Sequence, residues 1–237
     1  IHGQMIISCQ AVEGEPLYVE EKSIMYLMAR AAKQAGTPAI RTSSIRDVIA
    51  IKEETGLPVI GLVKVQYPGY EGFITPTMKE VDDLVAAGSD IVALDCTLRK
   101  RGDGSTVNEF IAQIREKYPD IILMADISNY EEGINAWKCG VDIVGTTMSG
   151  YTAYTSSVSD GPDYELMERL ARDINIPVIG EGRIHYPDQA VKALQTGAWA
   201  IVVGGAITRP LEIAMRFQNA IKESRENTIL CRRRTGH

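Results

Sequence analysis

Two segments of the chain begin alike and end in different charged residues. PVIGLVK (58–64) ends in Lys64, whereas PVIGEGRI (177–184) continues into Glu181 and Arg183. Each begins as an apolar run typical of a buried strand. A charged group that leaves water needs a partner or a ligand. A lysine, a glutamate and an arginine at the ends of two strands therefore indicate a site that handles a charged ligand.

Other apolar runs also end in polar, ionisable or glycine residues. In chain order these are Ser8-Cys9-Gln10, Arg41, Lys64, Asp95, Asp126, Thr146-Thr147, Glu181 with Arg183, and Gly204-Gly205. The charges could pair only with one another. Two arginines and a lysine beside three carboxylates favour a ligand site instead.

A glycine pair indicates that the ligand carries a phosphate. The segment VVGGAITRP (202–210) places Gly204 and Gly205 between an apolar run and a helical pattern, where backbone N–H groups can face an anion. With the preceding Gly182 and Arg183, this predicts a phosphate site in two successive loops. Arg209 lies nearby and either joins that site or pairs with a carboxylate.

The elements that must position these residues alternate along the chain. Eight strand-like runs are predicted at 5–10, 39–41, 58–64, 91–95, 121–126, 143–147, 177–181 and 200–204. Helical patterns follow at 23–35, 45–54, 77–87, 107–117, 130–138, 164–173, 187–195 and 210–223. Several helix-to-strand junctions carry a glycine, as in AAGSDIVAL and KCGVDIVGT, which is typical of a left-handed helix end.

Eight such units in 237 residues predict an α/β fold, a (β/α)8 TIM barrel forming one domain over 1–237. Chemistry in this fold lies at the carboxyl ends of the strands. An open doubly wound sheet is the alternative, weakened by the unit count and by the lack of GxGxxG after the first strand. The end of the chain, 224–237, with its Arg232-Arg233-Arg234 cluster, is expected to be a flexible tail.

Composition limits the partners. The net charge of −6 and the lack of a broad basic block argue against nucleic acid, and no apolar run approaches the roughly 18–20 residues of a membrane helix. The cysteines at 9, 96, 139 and 231 form no CxxC, so a reducing cytoplasm is expected. The three histidines cannot form a His-rich metal site. Asp95 and Asp126, on adjacent predicted strands, are left as an alternative magnesium pair.

Two long loops are expected on the same rim. MSGYTAYTSSVSDGPD (148–163) is rich in hydroxyl groups, and suits either a sugar-binding lid or a loop without contacts. VQYPGYEGFITPT (65–77) carries two tyrosines.

Several longer segments together resemble the N-acylglucosamine-6-phosphate 2-epimerase family, also called the N-acetylmannosamine-6-phosphate 2-epimerase family. The matching segments are IISCQA (6–11), PVIGLVK (58–64), FITPTMKEVDDL (73–84), IVALDCT (91–97), MADIS (124–128), GTTMSGYT (145–152), EGRI (181–184) and VVGGAITRP (202–210). The resemblance implies a barrel like those that bind ribulose phosphate. It also implies carbon-2 epimerisation of a small sugar phosphate in sialic acid and amino-sugar catabolism, with no cofactor and no metal.

The resemblance also implies roles for individual residues. Lys64 and Glu181 would be the catalytic pair. Contacts with the substrate would come from Gln10, Arg41, Asp126 and Arg183, with Tyr151 and Thr152 from the hydroxyl-rich loop, and contacts with the phosphate from Gly182, Gly204, Gly205 and Arg209. Many family members have RAN where this chain has Arg41-Thr42-Ser43, ALDAT where it has ALDCT, and Arg where Val65 follows the lysine. These departures leave the candidate catalytic residues in place.

Alternatives stay open at this point. One base could act on both faces of the substrate, or two opposed bases could share the work. Lys64 could instead form a Schiff base in a lyase or decarboxylase. The chain could also be a sugar-phosphate-binding regulator without catalysis. A homodimer could use Ile213, Met215 and Phe217, although we expect these side chains to face the core.

Overall fold

The computed structural model describes residues 1–156 and 161–235, and within them eight parallel strands form a closed barrel in the order β1 to β8. The strands are β1 Met5–Ser8, β2 Ile40–Ser43, β3 Val59–Leu62, β4 Ile91–Asp95, β5 Ile122–Asp126, β6 Ile143–Gly145, β7 Val178–Glu181 and β8 Ala200–Val203. The helices are α1 Met25–Gln34, α2 Ile45–Thr55, α3 Met78–Ala86, α4 Val107–Lys117, α5 Tyr130–Lys138, α6 Tyr164–Asp173, α7 Pro187–Gln195 and α8 Pro210–Thr235. The predicted (β/α)8 barrel is confirmed, and the open sheet is excluded. The division into one domain remains a prediction.

Local sequence signals account for the helix ends. Thr77 with Glu80, and Thr106 with Glu109, form capping boxes at the starts of α3 and α4. The glycines after α3 and α5 adopt left-handed φ angles, 82° at Gly88 and 84° at Gly140. The chain therefore turns from helix to strand where the sequence predicted.

Two apolar layers fix the barrel. Alternate strand residues point to opposite sides, so Ile6, Ile60 and Met124 fill the interior whereas Ile7, Val59 and Leu123 pack under the helices. All six side chains are at most 2% exposed. Polar groups therefore gather toward the rim at the carboxyl ends of the strands, with Arg41 and Asp126 buried inside the barrel.

Several strands end earlier than predicted, and the polar residues lie just beyond them. β3 stops at Leu62 because the following chain pairs with its own loop: Lys64 bridges Ile74 in antiparallel fashion, and the Val65 N–H donates to the Phe73 carbonyl at 2.9 Å. β1 ends at Ser8 rather than at Gln10. Most of the candidate site residues therefore lie at the beginning of the loops that follow the strands.

The last helix differs most from expectation. α8 was predicted to end at residue 223 and instead continues to Thr235. The preference for core-facing apolar residues on this helix was wrong for Met215 and Phe217, whose side chains are 52% and 70% exposed. The side chains of Arg232-Arg233-Arg234 lie outside the described part, and the flexibility of 224–237 stays a prediction. Among the helices described, none is long and apolar enough to cross a membrane.

Candidate active site

A cavity of about 330 Å³ opens at the carboxyl ends of the strands. Ten of the twelve predicted site residues line it: Gln10, Arg41, Lys64, Tyr151, Glu181, Gly182, Arg183, Gly204, Gly205 and Arg209. Asp126 and Thr152 are the two that do not. The closure of the barrel brings together residues that lie up to 199 positions apart in the sequence (10 to 209).

Lys64 lines this cavity, and two hydrogen bonds between Val63 and Thr75 hold the backbone next to it. The Val63 N–H donates to the Thr75 hydroxyl at 3.2 Å, and the Thr75 N–H donates to the Val63 carbonyl at 2.7 Å. Burial, followed by the nearby guanidinium groups of Arg209 and Arg41, lowers the pKa of Lys64 from 10.5 to about 8. A substantial fraction of this amine is therefore unprotonated near neutral pH, as a general base requires.

Arg41 crosses the interior of the barrel below the cavity. Its Nη2 lies 2.6 Å from Oδ2 of Asp126, and its Nε lies 3.4 Å from Oε1 of Glu181. Arg41 is 1% exposed and Asp126 is fully buried. Asp126, predicted to touch the substrate, thus contacts the arginine beneath the cavity.

Glu181 stands on β7, four strands away from β3 in the barrel order, so it faces Lys64 across the axis. Its Oε2 lies 3.2 Å from the Thr147 hydroxyl, and its backbone N–H donates to the Thr146 hydroxyl at 3.0 Å. Burial raises the pKa of Glu181, with Arg41 opposing this and Asp126 adding to it. The cavity therefore sets a lysine with a lowered pKa opposite a glutamate with a raised pKa.

The chain turns sharply after Glu181. Gly182 has φ 109° and Arg183 has φ 53°, a left-handed conformation that is uncommon for a residue with a side chain. The turn sends the Arg183 guanidinium toward the loop after β6, where its Nε donates to the Gly161 carbonyl at 2.9 Å. A Cβ on Gly150 would lie only 1.6 Å from Nη1 of Arg183, so only glycine fits there.

Arg209 lines the cavity and also pairs with two carboxylates. Its Nη2 lies 2.9 Å from Oε1 of Glu15, and its Nη1 lies 3.2 Å from Oε1 of Glu212. A Cβ on Gly205 would meet Oε2 of Glu212 at 2.1 Å. The carboxylate pairing considered for Arg209 is therefore present, its part in a phosphate site stays a prediction, and Gly205 leaves room for the carboxylate of Glu212.

Gln10 offers an unused acceptor. Its Nε2 donates to the Ser8 hydroxyl at 2.8 Å. Its Oε1 is buried without a hydrogen-bond partner, although buried polar atoms normally have one. The amide oxygen can therefore accept a hydrogen bond from a bound ligand.

Thr152 and Asp95 have other partners. The Thr152 hydroxyl lies 2.6 Å from the Thr155 hydroxyl, within the loop after β6, of which residues 157–160 lie outside the described part. Asp95 pairs with Arg99 at 2.6 Å, and Asp126 pairs with Arg41, so each carboxylate of the alternative magnesium pair is engaged by an arginine. In the described ranges no cluster of three or more His, Cys, Asp and Glu side chains is arranged to hold a metal ion.

Sequence reasoning missed four residues of this site. Thr147 contacts two carboxylates, Glu15 and Glu212 hold Arg209, and His185 lines the cavity with its Nδ1 3.4 Å from Nη1 of Arg216. The three-residue spacing from Arg209 to Glu212 was a usable signal. Burial, together with Arg216, lowers the pKa of His185, and no sequence pattern marked that contact.

The fold and the cavity define the class: a (β/α)8 barrel in which a lysine faces a glutamate beside arginine side chains at the strand ends. A family model described as "NanE: Putative N-acetylmannosamine-6-phosphate epimerase" matches residues 25–223. The chain belongs to this family.

Individual relatives agree with the family match. A protein of Caldanaerobacter subterraneus named "Putative N-acetylmannosamine-6-phosphate 2-epimerase" is 55% identical over 95% of this chain and 94% of its own length. A solved structure of the N-acetylmannosamine-6-phosphate 2-epimerase from Clostridium perfringens superposes with a TM-score of 0.87 at 48% identity, covering 92% of this chain and 93% of the other. A thiamine phosphate pyrophosphorylase from Pyrococcus furiosus, 19% identical with a TM-score of 0.56, shares the fold alone.

Proposed function

We propose that this protein interconverts N-acetylmannosamine 6-phosphate and N-acetylglucosamine 6-phosphate at carbon 2, in the catabolism of sialic acid and other amino sugars. The observation that carries the proposal is Lys64, with a pKa lowered to about 8, opposite Glu181 in a cavity of this family's barrel. The reaction inverts one carbon and changes no oxidation state overall.

The proton on carbon 2 becomes acidic only when carbon 1 is an aldehyde, so the sugar ring must open first. Lys64 then removes that proton as an amine, and the resulting enolate is stabilised by positive charge aimed at it. Arg41 supplies a cation at the floor of the cavity, where Asp126 fixes its position. Return of a proton to the other face gives the epimer.

Glu181 suits the proton transfers of ring opening. Burial raises its pKa above that of an ordinary glutamate, which favours exchange of a proton with a sugar oxygen. It could also deliver the proton to the face opposite Lys64. Solvent deuterium incorporated from each epimer separates the two routes, since one base on both faces returns part of the original proton whereas two bases do not.

The phosphate would sit at the loops after β7 and β8. Gly182, Gly204 and Gly205 bring the backbone to the cavity without a side chain in between, and Arg183 and Arg209 bring two positive charges. Because Arg209 already pairs with Glu15 and Glu212, the phosphate would replace or share those partners. The sugar would be held by Gln10 through its free oxygen, and by Tyr151. Asp126 would contribute to binding by positioning Arg41, and Thr152 by its contact with the Thr155 hydroxyl.

The test is proton NMR of N-acetylmannosamine 6-phosphate with the protein in D2O. The wild type should produce the epimer with deuterium at carbon 2. Lys64→Ala should abolish that exchange, and Glu181→Gln should slow turnover by roughly 100-fold while still binding the sugar phosphate. Lys22→Ala, on the exposed surface, should leave both unchanged.

Three outcomes would contradict the proposal. Substrate cleavage or borohydride trapping of Lys64 would indicate the lyase chemistry. Stabilisation by the sugar phosphate without any epimer would indicate a regulator. Near wild-type exchange in Lys64→Ala would remove Lys64 as the base.

We further propose a homodimer that uses α8. Exposed apolar patches mark association surfaces, and closed symmetric pairs are the commonest assemblies. Phe217 and Ile221, four residues apart on one face of α8, are 70% and 48% exposed. Light scattering should show a dimer that Phe217→Asp converts to a monomer, whereas Ile49→Asp on α2 should not. A monomeric wild type would contradict this. A cytoplasmic location stays part of the proposal.

A further inference from the structure

The loop that follows β6 is tied to a different part of the barrel by one tyrosine. The Tyr154 hydroxyl donates to Oε1 of Glu132, in the first turn of α5, at 2.5 Å. Glu132 is 1% exposed although it is a carboxylate. A buried carboxylate needs several hydrogen-bond donors, and Glu132 has further donors besides Tyr154.

Glu132 is itself held rigidly. Its Oε2 accepts from both the N–H and the hydroxyl of Ser128 at 2.7 Å, and its Oε1 accepts from the Leu98 N–H at 3.3 Å. These donors belong to the loops after β5 and β4. These donors hold the Glu132 carboxylate in place on the rim of the barrel. The hydrogen bond from Tyr154 attaches the loop after β6 to this carboxylate.

The anchored segment is a closed turn. Next to Tyr154, the Thr155 hydroxyl accepts from the Gly150 N–H at 3.0 Å and lies 2.6 Å from the Thr152 hydroxyl. Residues 150–155 are therefore linked into one turn, which is attached to Glu132 at its Tyr154 end.

The other end of this turn carries the surface against which Arg183 rests. Gly150 lies so close that a Cβ there would be 1.6 Å from Nη1 of Arg183. The Tyr151 ring centre is 5.7 Å from the Arg183 guanidinium carbon. The position of the turn thus decides the position of the guanidinium in the cavity.

We propose that Tyr154 and Glu132 are positioning residues, which preset Arg183 for the anionic group of the substrate and Tyr151 for its sugar. The proposal rests on the proposed function for its substrate. Binding is tighter when the groups that receive a ligand are ordered beforehand. Loosening the turn should therefore weaken binding of the anionic end and leave the proton transfers at Lys64 and Glu181 intact.

The test is Tyr154→Phe, which removes one hydroxyl from a ring that is 52% exposed. The KM for N-acetylmannosamine 6-phosphate should rise by about tenfold with kcat within about twofold, as expected for loss of one hydrogen bond to a charged group that acts on binding. Tyr130→Phe is the matched control, since its hydroxyl donates to Asp173 at 2.9 Å away from the cavity. It should change neither constant.

A double-mutant cycle identifies the route. If Tyr154 acts through Arg183, Tyr154→Phe should have little further effect on KM in an Arg183→Gln background. An unchanged KM in Tyr154→Phe, an equal rise in Tyr130→Phe, or a full tenfold rise in the Arg183→Gln background would each overturn the proposal.

A binding measurement separates this proposal from the proposed function. Calorimetry with inorganic phosphate requires no turnover, and Tyr154→Phe should weaken that binding in parallel with KM. If the wild type binds phosphate without epimerising the sugar, the loss on Tyr154→Phe still supports the positioning role. Equal phosphate affinity in both proteins contradicts it.

Discussion

The guanidinium of Arg41 and the carboxylate of Asp126 form an ion pair of 2.6 Å inside the barrel, with neither side chain more than 1% exposed. The same guanidinium reaches Glu181 at 3.4 Å. One cation is thus shared by two carboxylates, one fully buried and one at the cavity. The buried pair fixes the arginine, and the arginine limits how far the pKa of Glu181 rises.

Removing one partner of this pair should be costly. Asp126→Ala leaves a buried arginine that has lost its closer partner and keeps the 3.4 Å contact with Glu181, and we expect the free energy of unfolding to fall by about 3–5 kcal/mol. Urea unfolding measures this. Asp83→Ala, which breaks the exposed Lys79–Asp83 pair of the same 2.6 Å length, should cost less than about 0.5 kcal/mol. Equal losses in the two variants would show that the Arg41–Asp126 contact does not carry the expected energy.

Lys64 should reduce stability in proportion to its perturbed pKa. The folded pKa is about 8 and the ordinary value is 10.5, so the unfolded chain binds this proton more tightly. The cost to the folded state is full below pH 8, shrinks from pH 8 to 10.5 and is absent above that. Lys64→Met should therefore be inactive but more stable at pH 7, by roughly 3 kcal/mol at most.

Chemical unfolding at pH 7 and at pH 9.5 checks this difference. The advantage of Lys64→Met over the wild type should be smaller at the higher pH. Lys22→Met, on the exposed surface, should change the free energy by less than about 0.5 kcal/mol. An advantage that grows with pH would mean that the pKa of Lys64 is not lowered by folding.

Arg209 should link phosphate binding to the basicity of Lys64. Its charge is the largest electrostatic contribution that lowers the pKa of Lys64. In Arg209→Gln that pKa should rise, so the acid limb of the kcat/KM profile should move to higher pH and kcat/KM at pH 7 should fall about tenfold or more. Arg172→Gln, 65% exposed on α6, is the control. An acid limb that stays at the same pH in Arg209→Gln would mean that it does not arise from the titration of Lys64.

Much of the fold and the site followed from local patterns. Glycines such as Gly88 and Gly140 end helices for steric reasons that the sequence displays, so the alternation of elements was predictable. Once eight parallel strands close, their carboxyl ends must converge. The positions of Lys64, Glu181 and Arg183 in one cavity followed from that geometry alone.

Contacts that depend on side-chain reach were not predictable. Asp126 is the last residue of β5, and Lys64 likewise lies at a strand end, just after β3. The Asp126 carboxylate nevertheless pairs with Arg41, which extends from β2 to cover it. Thr152 is drawn away by the hydroxyl of Thr155, a turn contact that no periodicity reveals. The exposure of Phe217 was not predicted, because the sequence of a helix does not show what covers a given apolar side chain.

The hydroxyl of Thr147 completes the carboxylate network at the cavity floor. It donates to Oδ1 of Asp126 at 2.7 Å and lies 3.2 Å from Oε2 of Glu181. Its single hydrogen serves one carboxylate at a time, so donation alternates between Asp126 and Glu181. Donation to Glu181 favours the ionised carboxylate and opposes the rise in its pKa.

Thr147→Val should separate this role from packing, because valine keeps the shape and removes the hydroxyl. Loss of the contact raises the pKa of Glu181 further and leaves Oδ1 of Asp126 without that donor. We expect kcat to fall about tenfold, KM to change little, and the free energy of unfolding to drop by about 1–3 kcal/mol. Thr147→Ser should recover most of kcat, and Thr196→Val, which loses a hydroxyl contact to Ala193 at the end of α7, should leave kcat unchanged. If Thr147→Ser is as slow as Thr147→Val, the methyl group and not the hydroxyl carries the effect.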